Sequence, residues 1–234
     1  MNIIINASNL RVGGALQVAL STIEELHRFP QHIFHVFLSP AFEGLIDYDM
    51  SEKSNINFYS VEFPSRFTIL GNVKQLDNLE MKIGADCVFS IFGPTYWKPK
   101  SPHLAGFAQG YYLYRNLPFF DTIGLFEKVK LFLLSSYHGF LLKKHVDEFV
   151  VETYDVKSRL MSFLNINESS IHVATNTYST YFKDFNKGLF VRGEPAGDTK
   201  IFRLLTIAYP YPHKNLEILK KVSDILNKDT IGFH

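Results

Sequence analysis

Short apolar runs alternate along most of the chain with longer segments whose apolar residues recur at helical spacing. The first run, residues 3–5, is short and β-branched, which is typical of a strand buried on both faces. A polar loop containing two adjacent glycines follows it, and then a helix is predicted over residues 15–29, ending before Pro30. The same reasoning predicts strands at 32–38, 56–61, 85–93, 103–109, 147–152 and 170–175, and helices at 70–84, 122–144 and 154–164.

This alternation of strands and helices predicts an α/β fold with a doubly wound parallel sheet, Rossmann-like in kind. In such sheets ligands bind outside the carboxyl ends of the strands. We therefore expect functional residues in the segments that follow the strands, which are 6–14, 92–96, 109–115 and Thr153.

The amino-acid composition of the sequence changes after residue 183. Residues 183–200 contain three glycines, a proline and many charges, which is typical of a linker. We therefore predict a domain at 1–183, a linker at 184–200 and the first strand–helix unit of a second α/β domain at 201–234. A lone strand–helix unit cannot bury its own apolar face, so we interpret this second domain as truncated.

Composition narrows the function classes. The chain has 234 residues, of which 46% are hydrophobic and 20% charged, and this composition excludes disordered and fibrous proteins. The net charge is only +1, so the overall charge of the chain does not attract nucleic acid. A single cysteine, Cys87, excludes a disulfide framework and makes the cytoplasm the default compartment. The sequence shows no targeting signal and no stretch suited to crossing a membrane.

The glycine pair Gly13-Gly14 is the first candidate for chemistry. Glycines between a strand and a helix let the backbone approach a ligand and leave the first helical N–H groups free for phosphate. The spacing fits neither a dinucleotide fingerprint nor a Walker loop, and we interpret it as ligand contact rather than a bare turn. Asp47 and Asp49, on either side of Tyr48, could hold a divalent metal, but a solvated turn is the favoured interpretation.

Residues 115–144 combine basic and aromatic side chains, with five basic residues against two acidic ones. That combination is what docking at a membrane surface requires. The favoured interpretation is a helix packed on the sheet with its charged ends in water, and peripheral membrane contact through 115–144 stays open as the alternative.

Three segments, in order, resemble the amino-terminal half of a GT-B-fold glycosyltransferase of the retaining family 4 type. The segment "NLRVGGALQVALSTIEEL" is similar to the family's opening Gly-Gly loop and helix. The segment "VDEFVVETYDVKSRLMSFLNINESSIHVATNTYSTYF" has the family's order of strand, small hydroxyl residue, helix, strand and asparagine. The segment "LLTIAYPYPHKNLEILKKV" is similar to the first unit of the carboxy-terminal, donor-binding domain.

The resemblance implies a hexosyltransferase-type enzyme that moves a sugar from a nucleotide diphosphate sugar to a glycan or lipid-linked acceptor. It implies bacterial polysaccharide biosynthesis, in the cytoplasm or at the inner face of the membrane. No cofactor and no metal are implied, because a lysine and a helix dipole take the role of a cation. The implied donor or phosphate contacts are Gly13, Gly14, Lys214 and Asn215, and the implied acceptor-side residues are Gln109, Gly110, Tyr111 and Thr153.

The chain departs from the family pattern in several places. Gln109 stands where the family often has a histidine that approaches the sugar, so the catalytic residue stays unassigned. Ala208-Tyr209 replaces a Gly-Arg pair, Asn176-Thr177 replaces Asn-Gly, and the downstream glutamates that hold the donor sugar are absent. We therefore expect this chain by itself to be inactive. A non-catalytic sugar- or nucleotide-binding or scaffold relative of the same fold remains the alternative.

Overall fold

The computed structural model describes residues 1–46, 55–62, 69–175 and 214–228, with the single positions 177, 206 and 208. The chain forms two compact units, one of Met1–Arg115 with Leu125–Thr177 and the other of Asn116–Gly124 with Tyr178–His234. The predicted boundary at 183 and the linker at 184–200 lie outside the described residues, so the predicted domain limits stay a prediction.

The first unit is built on a seven-stranded sheet in the order β3-β2-β1-β4-β5-β6-β7, with every neighbouring pair parallel. The chain runs outward from β1 to β3, returns to the centre at β4 and runs outward again. This confirms the predicted doubly wound parallel sheet. The strands are β1 (Asn2–Ala7), β2 (Ile33–Leu38), β3 (Ile56–Ser60), β4 (Cys87–Ser90), β5 (His103–Gly106), β6 (Glu148–Val151) and β7 (Ile171–Val173).

Helices connect the strands, and most begin and end close to the predicted limits. The predicted helix at 122–144 instead begins at Leu125, after Gly124, and two four-residue helices near it were not predicted. So short a helix shows no apolar periodicity, and glycine disfavours a helix interior. The helices are α1 (Gly14–Glu25), α2 (Ile69–Ile83), α3 (Gly110–Leu113), α4 (Phe119–Thr122), α5 (Leu125–His145), α6 (Tyr154–Leu164) and, with α4 in the second unit, α7 (Ile218–Lys228).

The core lies on both faces of the sheet, because successive residues of a strand point to opposite faces. Ile4 packs in a cluster with Leu76 of α2, whereas Ile5 packs in a different cluster with Ile23 of α1. A third cluster joins β5, β6 and β7 to α5 and α6. The central strands are thus buried on two sides, as their continuous apolar runs predict.

The carboxyl ends of β4 and β5 approach each other unusually closely at Gly106. A Cβ atom added at Gly106 would lie 2.1 Å from the carbonyl oxygen of Ile91, closer than any real contact. The backbone N–H of Gly93 also donates to the carbonyl oxygen of Gly106 at 2.9 Å. Only glycine fits here, so this residue fixes how the loops after β4 and β5 leave the sheet.

Candidate functional site

The strand order places a topological switch point between β1 and β4, where the chain reverses its direction of progress across the sheet. In doubly wound α/β sheets, ligands bind outside the carboxyl ends of the strands at such a point. The loop after β1 carries the predicted Gly13-Gly14 pair.

The Gly13-Gly14 pair forms the amino terminus of α1. Gly13 is the N-cap residue, with φ 72° and ψ −152°, a combination that only glycine adopts readily. No side chain caps the first turn, and the turn contains no acidic residue. Nothing lies within 4 Å of a Cβ atom built at Gly14. This helix end therefore offers backbone N–H groups and the positive end of a helix dipole beside open space.

A buried chain of polar side chains crosses β1, β4 and β5 at the sheet's centre. The Ser8 hydroxyl donates to Asn6 Oδ1 at 2.7 Å, and Asn6 Nδ2 donates to Ser90 Oγ at 3.1 Å. Ser90 Oγ lies 2.8 Å from His103 Nε2, and His103 Nδ1 lies 2.6 Å from the carbonyl oxygen of His145. All of these groups have partners, so the network fixes the relative position of three strands next to the switch point.

The hydrogen bonds determine the protonation of His103. Nδ1 faces a carbonyl oxygen, which can only accept, so Nδ1 carries the proton and Nε2 accepts from the Ser90 hydroxyl. Burial lowers the pKa of His103, against the opposing influence of the His145 carbonyl and the charge of Asp147. The ring is therefore neutral and serves as a structural link.

Two amide oxygens in loops at the carboxyl edge are buried and have no hydrogen-bond partner in the described structure, Asn9 Oδ1 and Gln109 Oε1. Asn9 follows β1, and its Nδ2 donates to the carbonyl oxygen of Phe92 at 2.6 Å, which ties the loop after β1 to the loop after β4. Gln109 follows β5 and precedes α3. Unpaired acceptors of this kind are suited to a hydroxyl donor from a ligand or a water molecule.

His138 of α5 lies between two tyrosine hydroxyls, an arrangement that the sequence did not predict. Its Nε2 is 2.7 Å from Tyr96 Oη, and its Nδ1 is 2.7 Å from Tyr112 Oη. Tyr96 lies in the loop after β4 and Tyr112 in α3, so the imidazole joins the loops after β4 and β5 to α5. Burial is the main reason why the pKa of Tyr112 is raised, and this phenol stays protonated.

The segment after β5 holds the predicted acceptor-side residues. Gly110 begins α3, and the ring of Tyr111 packs edge-on against that of Tyr112, with centroids 4.5 Å apart. Further along, the Tyr114 hydroxyl donates to Asp155 of α6. This hydrogen bond is the main reason why the pKa of Asp155 is lowered.

Thr153, the other predicted acceptor-side residue, is the N-cap of α6. Its Oγ1 accepts from the backbone N–H of Val156 at 3.2 Å. The hydroxyl proton is still available to donate, so capping leaves room for a second role. The parallel sheet brings the loops with Gly13, Gln109 and Thr153 to one edge, after β1, β5 and β6 respectively.

Lys214 and Asn215 belong to the second unit. Lys214 is exposed, and Asn215 has φ 49°, a left-handed conformation that asparagine tolerates. The carbonyl oxygen of Asn215 accepts from the backbone N–H of Ile218, the first residue of α7, at 3.1 Å. The pair therefore lies in the turn that precedes α7.

Other predicted features lie outside the described residues: the Asp47-Tyr48-Asp49 turn, Asn176 and Tyr209. Across the described ranges, no group of three histidine, cysteine, aspartate or glutamate side chains is arranged to hold a metal ion. Among the described helices, none combines the length and the apolar character needed to cross a membrane.

No protein-family model and no curated protein matches this chain. Solved structures that resemble it include a glycosyltransferase from Rickettsia africae ESF-5, which is 17% identical at a TM-score of 0.49 and matches over 80% of this chain and 46% of that one. MurG of Acinetobacter baumannii is 14% identical at a TM-score of 0.43, over 76% of this chain and 46% of MurG. Arabidopsis thaliana UGT89C1, complexed with UDP-L-rhamnose, is 11% identical at a TM-score of 0.48, over 99% of this chain and 64% of UGT89C1.

The chain thus spans between 46% and 64% of the length of these proteins. At such identities and TM-scores the likenesses assign no family. The α/β fold class of the first unit follows from its strand order alone.

Proposed function

We propose that this chain is part of a glycosyltransferase that moves a sugar from a nucleotide diphosphate sugar to a glycan or lipid-linked acceptor. The observation that carries the proposal is the uncapped glycine amino terminus of α1 at the switch point of a doubly wound sheet. The order of the three family-like segments in the sequence supports the same function. The finer assignment is a GT-B enzyme of the retaining family 4 type.

On the donor side, Gly14 and its neighbours would donate backbone N–H groups to the diphosphate. Charge that develops on the leaving diphosphate is stabilised best by donors already in position. Lys214, in the turn that precedes α7, would supply a full positive charge to a diphosphate, assisted by Asn215. With a lysine and a helix dipole in this role, we propose that the transfer needs no metal and no cofactor.

On the acceptor side, the segment Gln109–Tyr111 and Thr153 would contact the incoming sugar. The Oε1 of Gln109 is buried without a partner, so the amide would turn toward the acceptor to accept a hydrogen bond from a sugar hydroxyl. Gln109 cannot act as a general base, because an amide does not take up a proton near neutral pH. Its proposed role is therefore to orient the acceptor.

The proposed setting is bacterial polysaccharide biosynthesis on the cytoplasmic side of the membrane, with a hexose as the transferred group. A non-catalytic sugar- or nucleotide-binding relative is the second candidate, and a specific observation favours it. Gln109 and Ala208-Tyr209 stand at positions where the resembled family has a histidine and a Gly-Arg pair.

The test measures release of nucleoside diphosphate from uridine, guanosine, thymidine and adenosine diphosphate sugars, with water as acceptor when no glycan is supplied. The product of the complete gene should release nucleoside diphosphate, whereas we expect no release from the 234-residue chain alone. Donor binding without release by the gene product would support the binding relative, and absence of both would contradict the proposal.

The variant Gly14→Glu separates anion binding from folding. Its side chain enters open space, and a carboxylate at a helix amino terminus stabilises the helix by about 0.3–1 kcal/mol while repelling a phosphate. We expect thermal stability to be kept and donor turnover to be lost. The control Gln17→Glu adds the same charge on exposed α1 surface one turn further along and should keep turnover.

Lys214→Ala tests the proposed cation. Losing one preorganised electrostatic contact costs about 3 kcal/mol in a transition state, so turnover by the gene product should fall about 100-fold or more. The control Lys221→Ala, at an exposed position of α7, should change turnover by less than about threefold. Equal effects of the two variants would remove Lys214 from the site.

A further inference from the structure

Helix α5 is apolar on two faces, although the described residues cover only one of them. Its covered face includes the buried residues Ser135, His138, Gly139, Leu141 and Leu142, and the helix packs against α6. A helix that is apolar all round is normally buried on all sides or in contact with lipid. The second apolar face of α5 therefore needs an occupant.

The second face is a continuous apolar arc along the helix. Leu125 and Phe126 are 78% and 80% exposed, and Phe140, near the other end, is 60% exposed. At 100° per residue, the exposed apolar side chains fall within about 140° of the helix circumference, a width typical of an amphipathic face. We call this surface the α5 apolar face; it consists of Leu125, Phe126, Val129, Phe132, Leu133, Tyr137 and Phe140.

Positive charge borders the α5 apolar face. Lys128 and Lys130 lie at its two margins, and Lys143 and Lys144 follow at the carboxyl end of the helix. The one acidic residue of α5, Glu127, projects away from the face at about 80° from its nearer margin.

The cationic groups also contact the aromatic rings of this face. The Arg115 guanidinium lies 5.3 Å from the centroid of the Phe132 ring, and Lys144 Nζ lies 5.6 Å from that of Phe140. Arginine and lysine in such contacts keep their apolar stems along apolar surface and their charges in water. Rings flanked by cations in this way suit the boundary between acyl chains and negatively charged headgroups.

We propose that the α5 apolar face docks on a lipid bilayer that carries anionic headgroups. The aromatic and leucine side chains would enter the acyl boundary, and the flanking lysines would bind the headgroup phosphates. Charge complementarity favours this occupant over a second copy of the chain, because two copies would bring lysines of the same sign together. The inference does not depend on sugar transfer, so it can fail or hold independently of the proposed function.

The test is sedimentation of the full 234-residue chain with vesicles of phosphatidylcholine alone or with about 30 mol% phosphatidylglycerol. We expect binding to the anionic vesicles, and binding should weaken at high salt, since salt screens exposed charges. The double variant Phe126→Ser/Leu133→Ser should weaken partitioning about tenfold or more, because it removes two apolar side chains from the face. Lys128→Glu/Lys130→Glu should weaken it to a similar extent, at about 1 kcal/mol for each charge near the surface.

Matched changes on another helix serve as controls. Met81→Ser replaces an exposed apolar side chain of α2 by serine, and Lys74→Glu reverses an exposed charge of the same helix. Both should leave vesicle binding unchanged. The proposal would be overturned if the α2 and α5 variants lost vesicle binding equally, or if the chain did not bind anionic vesicles. A concentration-dependent dimer that Phe126→Ser/Leu133→Ser dissociates would also overturn it, since the face would then belong to a contact between copies. Far-UV circular dichroism confirms that each variant is folded.

Discussion

Ser90→Ala is the sharpest test of the polar network beside the switch point. Ser90 is completely buried, and its hydroxyl is both an acceptor for Asn6 Nδ2 and the donor to His103 Nε2. The alanine variant removes this hydroxyl. Asn6 Nδ2 is then an unpaired buried donor, and His103 Nε2 is an unpaired buried acceptor. Each unpaired buried group costs about 1–3 kcal/mol, so for the two groups we expect a loss of about 2–6 kcal/mol of the free energy of unfolding.

That loss is a large fraction of the roughly 5–15 kcal/mol by which a native protein is stable. Urea denaturation followed by far-UV circular dichroism measures this loss, and the midpoint should fall by about 1–3 M for a typical slope. The control Ser162→Ala removes an exposed hydroxyl that donates only to the carbonyl of Ser158 in its own helix. It should stay within about 0.5 kcal/mol of wild type. An equally small effect of Ser90→Ala would refute the network.

Three further predictions follow from single residues. Gly106→Ala should abolish or strongly destabilise the fold, because its Cβ would lie 2.1 Å from the Ile91 carbonyl oxygen; normal expression and an unchanged melting temperature would contradict this. Thr153→Ala should cost about 1 kcal/mol in urea denaturation through loss of the α6 cap, and a value near zero would argue against the capping bond. Burial lowers the pKa of His145 to about 4, whereas in the unfolded chain this pKa is about 6.5. As the pH drops from about 6.5 to 4, the unfolded chain binds this proton before the folded chain does, so the stability of the fold falls. His145→Asn should lessen that fall in melting temperature, and an unchanged profile would contradict the assignment.

The sequence predicted the fold because its signals are local. A buried strand such as β1 is visible as a continuous apolar run, and α6 as an apolar periodicity, which the structure reproduces at Tyr154–Leu164. The same reasoning extended β4 and β5 too far. Apolarity continues past the point where the strands end, and pairing, not composition, decides where a strand stops.

The polar contacts of the candidate site could not be predicted in the same way. Asn6 and Ser90 are 84 positions apart, and His138 is 42 positions from Tyr96 and 26 from Tyr112. Only the completed sheet brings such residues together. The position of Gly13-Gly14 between a strand and a helix, in contrast, could be predicted because it depends only on a local strand–loop–helix order.

The central claim is that the amino terminus of α1 binds the phosphates of a sugar donor. Hydrogen–deuterium exchange of the complete gene product, with and without a nucleoside diphosphate sugar that it turns over, tests this most directly. The N–H of Leu16 donates to the carbonyl oxygen of Gly13, whereas the N–H groups before it in a helix have no intrahelical partner and exchange readily unless a ligand accepts their hydrogen bonds. We predict slower exchange on donor addition in a peptide that covers residues 9–20, with none in a control peptide from α6. Protection confined to other parts of the molecule, with exchange at 9–20 unchanged, would contradict the account.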